Sequence, residues 1–110
     1  MKWSEFPPRI RALEPYAGLF SAFRLKAEGC DVLFGTYPTG TQIAAHNHPT
    51  DNWGVITKGE MAIVIDGVER RYRPGEWYHV PAGVAHSAYC HGDTEEVEFW
   101  FSVGEGGSAA

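Results

Sequence analysis

Short segments of alternating apolar and polar residues, separated by breaks at glycine and proline, run through most of this sequence. Successive side chains of a β-strand point to opposite faces, so this alternation predicts strands that bury one face. No window carries apolar residues at helical spacing over a useful length. We therefore expect an all-β chain with roughly eight or nine short strands, arranged as a sandwich or a barrel.

The strongest local signal is a hairpin. Two alternating segments, Met61 to Ile65 and Val68 to Arg73, are joined by Asp66-Gly67, which favours the positive φ angles of a type I′ turn. Turn residues bound the other segments in the same way. The remaining predicted strands are Phe20 to Glu28, Cys30 to Tyr37, Gln42 to His48, Asn52 to Lys58, Glu76 to Val80, His86 to His91 and Glu96 to Val103.

Length and composition suit one compact unit. The chain has 110 residues, of which 44% are hydrophobic and 21% charged, as in ordinary globular proteins. We expect a single domain over residues 1–110. Within it, residues 1–18 are expected to form an irregular N-terminal arm and residues 104–110 a flexible tail.

The charge pattern argues against nucleic acid as a partner. The net charge is -5, and the densest basic run, Arg70 to Arg73, is short and follows Glu69. No segment resembles a membrane span or a signal peptide. Two cysteines, Cys30 and Cys90, are too few for a disulfide framework, although a single disulfide remains an alternative. These features predict a soluble cytoplasmic protein.

Three histidines are candidate metal ligands. His46 and His48 lie two residues apart in a predicted strand, so their side chains share one face. Such a pair also occurs at exposed strand ends that bind nothing. A third histidine, His86, opens a later strand, and metal ligands commonly come from several strands. Together the three predict a metal site, with an ordinary polar corner as the alternative.

The surroundings of the first two histidines resemble the first motif of the cupin superfamily. Gly40, His46, His48 and Gly59 stand at the spacing of that motif. Asn52 stands at the position where the family has a glutamate. The resemblance covers residues 40–59 and departs from the family pattern at this one position.

The surroundings of the third histidine resemble the second cupin motif, at residues 75–90. Gly75, Pro81, Gly83 and His86 match it, whereas Cys90 replaces an asparagine. Only fifteen residues, 60–74, separate the two motifs. This short separation is similar to that of the compact single-domain cupins of microbes.

The resemblance implies a double-stranded β-helix, or jelly roll, with one divalent metal in the mouth of the barrel. That metal is commonly iron, manganese, nickel, zinc or copper. By position, His46, His48 and His86 correspond to three of the usual ligands and Asn52 to the fourth. A neutral amide oxygen is a weaker donor than a carboxylate, but three histidines completed by water suffice for a metal site.

Alternation also predicts which neighbours share a face with the metal candidates. Those placed in the pocket as candidates for binding a cofactor or ligand are Gln42, Gly54 and Cys90. Ala44, Gly54 and Ala88 are small and leave space for an organic ligand. Alternatively, aromatic side chains such as Trp77, Phe99 or Trp100 fill that space.

Two classes of function fit these features. The first is a metal-dependent enzyme that acts on a small organic molecule, either an oxygenase or an isomerase or lyase. Its catalytic residues are not identified, because acid and base candidates in the predicted pocket are scarce. The second is a non-catalytic cupin that binds a small molecule or serves a structural role.

Apolar residues concentrated in the N-terminal third predict a homodimer. They offer more apolar surface than a small barrel covers alone, and the resemblance points the same way. These residues are Trp3, Phe6, Tyr16, Leu19, Phe20, Phe23 and Leu25.

Overall fold

The computed structural model describes residues 4–16 and 21–101, which form eight strands and one short helix. This confirms the predicted all-β class. The helix α1 spans Pro8–Arg11. The strands are β1 (Glu14–Tyr16), β2 (Ser21–Ala27), β3 (Cys30–Tyr37), β4 (Gln42–His46), β5 (Asn52–Ile65), β6 (Val68–Tyr72), β7 (Trp77–Val80) and β8 (His86–Phe101).

All strand pairings are antiparallel, and the two long strands, β5 and β8, organise them. The sheet has the order β1-β2-β3-β8-β5-β6, with β4 on β8 and β7 on β5. The first part of β8 pairs with β4, and its last part pairs with β3. Because β5 lies along both parts of β8, the sheet closes on itself as a jelly-roll barrel.

Four predicted strands are merged into β5 and β8. The sequence predicts breaks near Gly59 and between His91 and Glu96, whereas each long strand continues through a bend. Gly59 has a φ of 79°, and the pairing register of β5 with β8 shifts on either side of the preceding residue, Lys58. A Cβ at Gly59 would lie less than 3 Å from the backbone of β8. The glycine therefore permits a bulge inside a strand and does not end it.

The predicted hairpin is confirmed. Asp66 and Gly67 have φ angles of 52° and 74°, as a type I′ turn requires, and they join β5 to β6.

The described part of the N-terminal segment, residues 4–16, contains regular secondary structure. Besides α1, it contributes β1, which pairs with β2. The Phe6 ring packs edge-on against Phe34 with centroids 5.6 Å apart, and the Ser4 hydroxyl donates to the Glu95 carboxylate. Three residues of the predicted apolar set, Trp3, Leu19 and Phe20, lie outside the described residues, as does the predicted tail.

The core lies inside the barrel, where the inward residues of β3, β5, β7 and β8 meet. Its fully buried members are Tyr37, Ile56, Met61, Ile63, Tyr78, Val80 and Cys90. Cys30 and Cys90 are both free thiols. Among the described residues, no helix is long and apolar enough to span a membrane.

Candidate functional site

His46, His48 and His86 form one group, which we call the histidine cluster. His46 on β4 pairs directly with His86 on β8, and His48 follows β4 by two residues. The ring centroids are 4.3 to 5.1 Å apart. One ligand nitrogen from each ring lies within 4.8 Å of the others. The three histidines of the sequence prediction are therefore brought together, in an arrangement that could hold a metal ion.

Backbone hydrogen bonds orient two of these rings. His46 Nδ1 donates to the Ala44 carbonyl at 2.7 Å, and His86 Nδ1 donates to the Val84 carbonyl at 3.0 Å. A carbonyl only accepts, so Nδ1 carries the proton and Nε2 keeps its lone pair. Metal-binding histidines are commonly held in this way. The donor set therefore fits a borderline divalent transition metal.

Burial favours the neutral form of two of the histidines, His48 and His86. Burial, together with the neighbouring His46 and His86, lowers the pKa of His48 to about 4. Burial also lowers the pKa of His86. Removing a charged group from water disfavours the charged form, which for histidine is the protonated one. At neutral pH the rings of His48 and His86 therefore have the protonation state that binds metals.

Asn52 lies in the cavity with the histidines, whereas Asp51 does not. The Asn52 side chain is buried, and its amide nitrogen donates weakly to the carbonyls of Trp53 and Phe99, at 3.4 and 3.5 Å. The Asp51 carboxylate instead lies 2.9 Å from His79 Nε2 and accepts the backbone N–H of Ala82 at 3.2 Å. Asn52 therefore faces the cavity, whereas Asp51 faces away from it.

The expectation that Gln42 and Ala44 share a face with His46 is wrong. The pairing of β4 with β8 shifts between Ile43 and His46, which marks a bulge in β4. One extra residue moves the preceding side chains to the other face. Ile43 consequently lines the cavity with the histidines, whereas Gln42 is exposed on the outer surface.

Gly54 and Cys90 face inward but do not line the cavity. Tyr78 fills the space beside Gly54, where a Cβ would lie less than 3 Å from three atoms of the ring. Cys90 is fully buried in the core, and burial raises the pKa of its thiol to about 12. Of the aromatic residues proposed to fill the pocket, Trp100 lines it, whereas Trp77 stacks on Phe99 outside it.

The cavity has a volume of about 180 Å³. The histidine cluster and Asn52 lie in one part of it, and apolar side chains form much of its wall. A second polar group, which we call the carboxylate cluster, completes the lining. Its members are Tyr37, Tyr78, Glu96 and Glu98.

Strand register places the carboxylate cluster deeper in the barrel than Asn52. On β5 and β8, Asn52 pairs with Trp100, Gly54 with Glu98, and Ile56 with Glu96. A strand rises about 3.3 Å per residue, so Glu98 lies roughly 7 Å and Glu96 roughly 13 Å further along the strand. Glu98 is thus the carboxyl group nearer to the level of the histidines.

Both tyrosines donate hydrogen bonds to Glu96. The Tyr37 hydroxyl donates to Glu96 Oε2 at 2.6 Å, and the Tyr78 hydroxyl donates to Glu96 Oε1. The same hydroxyls lie 3.5 and 3.4 Å from the oxygens of Glu98. Glu96 is therefore held firmly at both oxygens, whereas Glu98 has only long contacts.

Burial keeps the carboxyl groups protonated to unusually high pH. It raises the pKa of Glu96 to about 7, although the hydrogen bonds from Tyr37 and Tyr78 oppose the shift. Burial and the charge of Glu96 raise the pKa of Glu98 well above its ordinary value. Two carboxyl groups this close do not ionise together readily, so Glu98 is the one that retains its proton.

The carboxylate cluster was not predicted from the sequence. The available signal was alternation within Glu96 to Trp100, which puts residues 96, 98 and 100 on one face of a predicted strand. Two acidic residues on the same face as a tryptophan indicate either a solvent face or a polar cavity. The hydrogen bonds from Tyr37 and Tyr78 to Glu96 show that this face lines a polar cavity and not the solvent.

Comparisons with known proteins agree with this geometry. A family model described as "Cupin domain" matches residues 33–104, more than half of the chain. No curated protein shows significant sequence similarity to it.

Several solved structures resemble the whole barrel. An RmlC-like cupin from Shewanella frigidimarina NCIMB 400 has 19% identity and a TM-score of 0.75, covering 86% of this chain and 88% of that one. A cupin superfamily protein from Desulfitobacterium hafniense DCB-2 has 18% identity and a TM-score of 0.72, covering 89% and 92%. KdgF from Halomonas sp. has 16% identity and a TM-score of 0.74, covering 83% and 87%. At such low identities the likeness is one of fold alone.

Proposed function

Because this chain belongs to the cupin domain family, we propose that it is a metal-dependent enzyme that transfers a proton on a small organic molecule, as an isomerase or lyase does. One observation carries the proposal. Three histidine nitrogens that can bind a metal share a cavity with a buried carboxyl group, Glu98, that can exchange a proton. We propose one divalent ion per chain, chosen from iron, manganese, nickel, zinc and copper.

His46, His48 and His86 would hold the ion, with the Asn52 amide oxygen as a further donor and positions left for water or substrate. When bound, such an ion supplies Lewis-acid polarisation of a substrate oxygen. His46 and His86 are kept in the binding orientation by the carbonyls of Ala44 and Val84. The histidines thus need little rearrangement to accept the ion.

The carboxylate cluster supplies the acid and base groups that a passive binding protein does not need. Glu98 retains a proton at neutral pH and lies at a depth that a small substrate can reach. Tyr37 and Tyr78 hold Glu96 in place, and its charge keeps Glu98 protonated. Apolar walls limit water, which strengthens electrostatic interactions inside the cavity. This pair of groups favours proton transfer over oxygenase chemistry.

Metal analysis tests the proposal. Protein purified without added metal or chelator should contain a transition metal, and after chelation it should rebind about one ion per chain by titration calorimetry. No stoichiometric binding after reconstitution would contradict the proposal. Stoichiometric binding without deuterium exchange into any of a panel of small carbonyl compounds would favour the non-catalytic alternative.

We also propose that the chain forms a homodimer. Large apolar side chains that remain exposed support a dimer. They are Leu25 (46% exposed), Trp53 (39%), Trp77 (55%) and Phe101 (41%). Trp53, Trp77 and Phe101 form one patch with Phe99 on the outer face of the barrel. Light scattering should give about twice the chain mass of 12.2 kDa, and a monomeric value at micromolar concentration would contradict the dimer.

A further inference from the structure

The carboxylate cluster has no cation beside it. Glu96 and Glu98 are 1% and 7% exposed. Their hydrogen-bond partners are the hydroxyls of Tyr37 and Tyr78. Within residues 4–16 and 21–101, no lysine, arginine or histidine forms an ion pair with either carboxylate. Buried charges in proteins are normally paired, so a negative charge here lacks a partner that the protein itself provides.

Within this cluster, Glu98 is the residue that can accept a further hydrogen bond. Each phenol has one proton, and both protons are directed to Glu96. The oxygens of Glu98 lie 3.4 Å or more from these hydroxyls and can accept from another donor. Glu98 is also the cluster member closer to the level of the histidines. A ligand in the cavity therefore meets Glu98 before Glu96.

A second unpartnered group lies at the other end of the cavity. The indole N–H of Trp100 is buried and has no acceptor among the residues that the structure describes. Trp100 lines the cavity, pairs with Asn52 along the strands and packs edge-on against His48, with centroids 4.4 Å apart. An oxygen of a ligand at this end, beside Trp100, would complement a metal ion on the histidines.

The two ends therefore require different chemistry from one ligand. At the histidine end the ligand needs an oxygen. At the carboxylate cluster a second anionic group would be repelled, and a hydroxyl would make hydrogen bonds but leave the charge unpaired. An ammonium group provides both donors and the opposite charge, and its positive charge beside Glu98 lowers the pKa of that carboxyl group, so that Glu98 ionises when the amine binds.

We propose that the natural ligand is a small primary amine that carries an oxygen group at its other end, with its ammonium against Glu98 and Glu96. The size of the cavity agrees with this class. A cavity of about 150 Å³ holds benzene, so 180 Å³ admits a ligand of roughly six to ten non-hydrogen atoms. The roughly 7 Å along the strands between the levels of Asn52 and Glu98 suits amino acids and amino alcohols with a short carbon chain. This inference names the substrate class of the function proposed above and depends on it.

The carboxylate end can be tested in metal-free protein with three probes of equal length: n-propylammonium, n-propanol and propionate. Binding is followed by NMR titration of the backbone amides of β3, β7 and β8. We expect n-propylammonium to bind about tenfold more tightly than n-propanol, the gain for a hydrogen bond to a charged group, and propionate to bind least. Equal or tighter binding of n-propanol or propionate, or no binding of n-propylammonium, would overturn the proposal.

Matched variants locate the preference. Glu98→Gln keeps the shape of the side chain and should reduce the preference for n-propylammonium over n-propanol to less than about twofold. Glu95→Gln is the control, because Glu95 is also buried on β8 but bonds to Ser4 and Thr36 outside the cavity. The Glu95→Gln variant should prefer n-propylammonium over n-propanol as strongly as the native protein does. Retention of the preference in a folded Glu98→Gln variant would overturn the assignment.

If Glu98→Gln does not fold, Tyr37→Phe provides the second test. It releases one oxygen of Glu96 to the cavity and should strengthen n-propylammonium binding, whereas unchanged or weaker binding would count against the proposal. All of these measurements use metal-free protein. Failure of the amine preference is therefore distinguishable from failure of the metal site, which would appear only in the metal titration.

Discussion

The histidine cluster and the carboxylate cluster are two groups of ionisable side chains in one cavity. Burial shifts their pKa values in opposite directions. It lowers the pKa of His48 to about 4 and raises that of Glu96 to about 7. The cause is the same, since burial disfavours whichever form is charged. The neutral histidine rings can therefore bind a cation, and the protonated carboxyl groups can donate a proton.

The clusters differ in what positions them. Backbone carbonyls two residues away hold the rings of His46 and His86, so their orientation is local. Glu96 is held instead by the side chains of Tyr37 and Tyr78, on two other strands. A change in strand packing should therefore disturb the carboxylates more than the histidines.

The largest effect is expected from His86→Ala, which removes one metal nitrogen. Loss of a group that merely supports a ligand costs 10- to 100-fold in affinity, so loss of a ligand should cost more than about a hundredfold. Calorimetric zinc titration measures this. His91→Ala is the control, because His91 packs against Tyr89 and does not belong to the cluster. Equal losses in both variants would contradict the assigned ligands.

The pH dependence of stability should separate the clusters in metal-free protein. The folded pKa of Glu96, about 7, exceeds its ordinary value of 4.5. Its contribution to stability is therefore complete below pH 4.5 and is lost as pH rises through about 7. Lowered histidine pKa values act in the opposite direction, with a contribution present above pH 6.5 and lost as pH falls towards 4.

Glu96→Gln should remove the carboxylate contribution and leave that of the histidines. Between pH 4.5 and pH 8, the free energy of unfolding of the native protein should fall by about 3 kcal/mol relative to the variant. Urea unfolding at a series of pH values measures the difference. Parallel curves for the two proteins would mean that Glu96 titrates normally.

Gly54→Ala should disturb the carboxylate cluster selectively. A Cβ at this position would lie less than 3 Å from the ring of Tyr78, which is buried and bonded to Glu96 and cannot easily move. We expect a loss of about 1–3 kcal/mol in the free energy of unfolding, measured by urea titration. Gly35→Ala, whose Cβ would lie 3.2 Å from the Tyr37 ring, should cost less. The reverse order would contradict this packing argument.

The smallest effect concerns Asn52→Glu, which restores the acidic residue of the family motif. If residue 52 faces the metal, manganese affinity should rise by about tenfold and zinc affinity by less, because hard ions prefer anionic oxygen. Without metal, the melting temperature should fall slightly, because the new carboxylate is buried without a partner. Competitive metal titration and thermal melts measure both effects. Unchanged manganese affinity and unchanged melting would show that residue 52 is not directed at the metal.

Sequence patterns alone were enough to predict the all-β class, the hairpin at Asp66-Gly67 and the grouping of His46, His48 and His86. These features depend on local rules: alternation along a strand, the φ preference of glycine, and motifs with fixed spacing. Each of them can be predicted from residues that are close together in the chain or from the match to a family pattern.

The bulge that turns Gln42 outward and the cavity lined by Glu98 could not be predicted from the sequence and became visible only in the folded barrel. A bulge changes the face of a side chain without a clear mark in the sequence, since any of several residues can be the extra one. The carboxylate cluster joins Tyr37 to Glu96 across 59 positions of the chain. Such a contact depends on the register of β3, β7 and β8, which is set by packing of the whole barrel and not by any one segment.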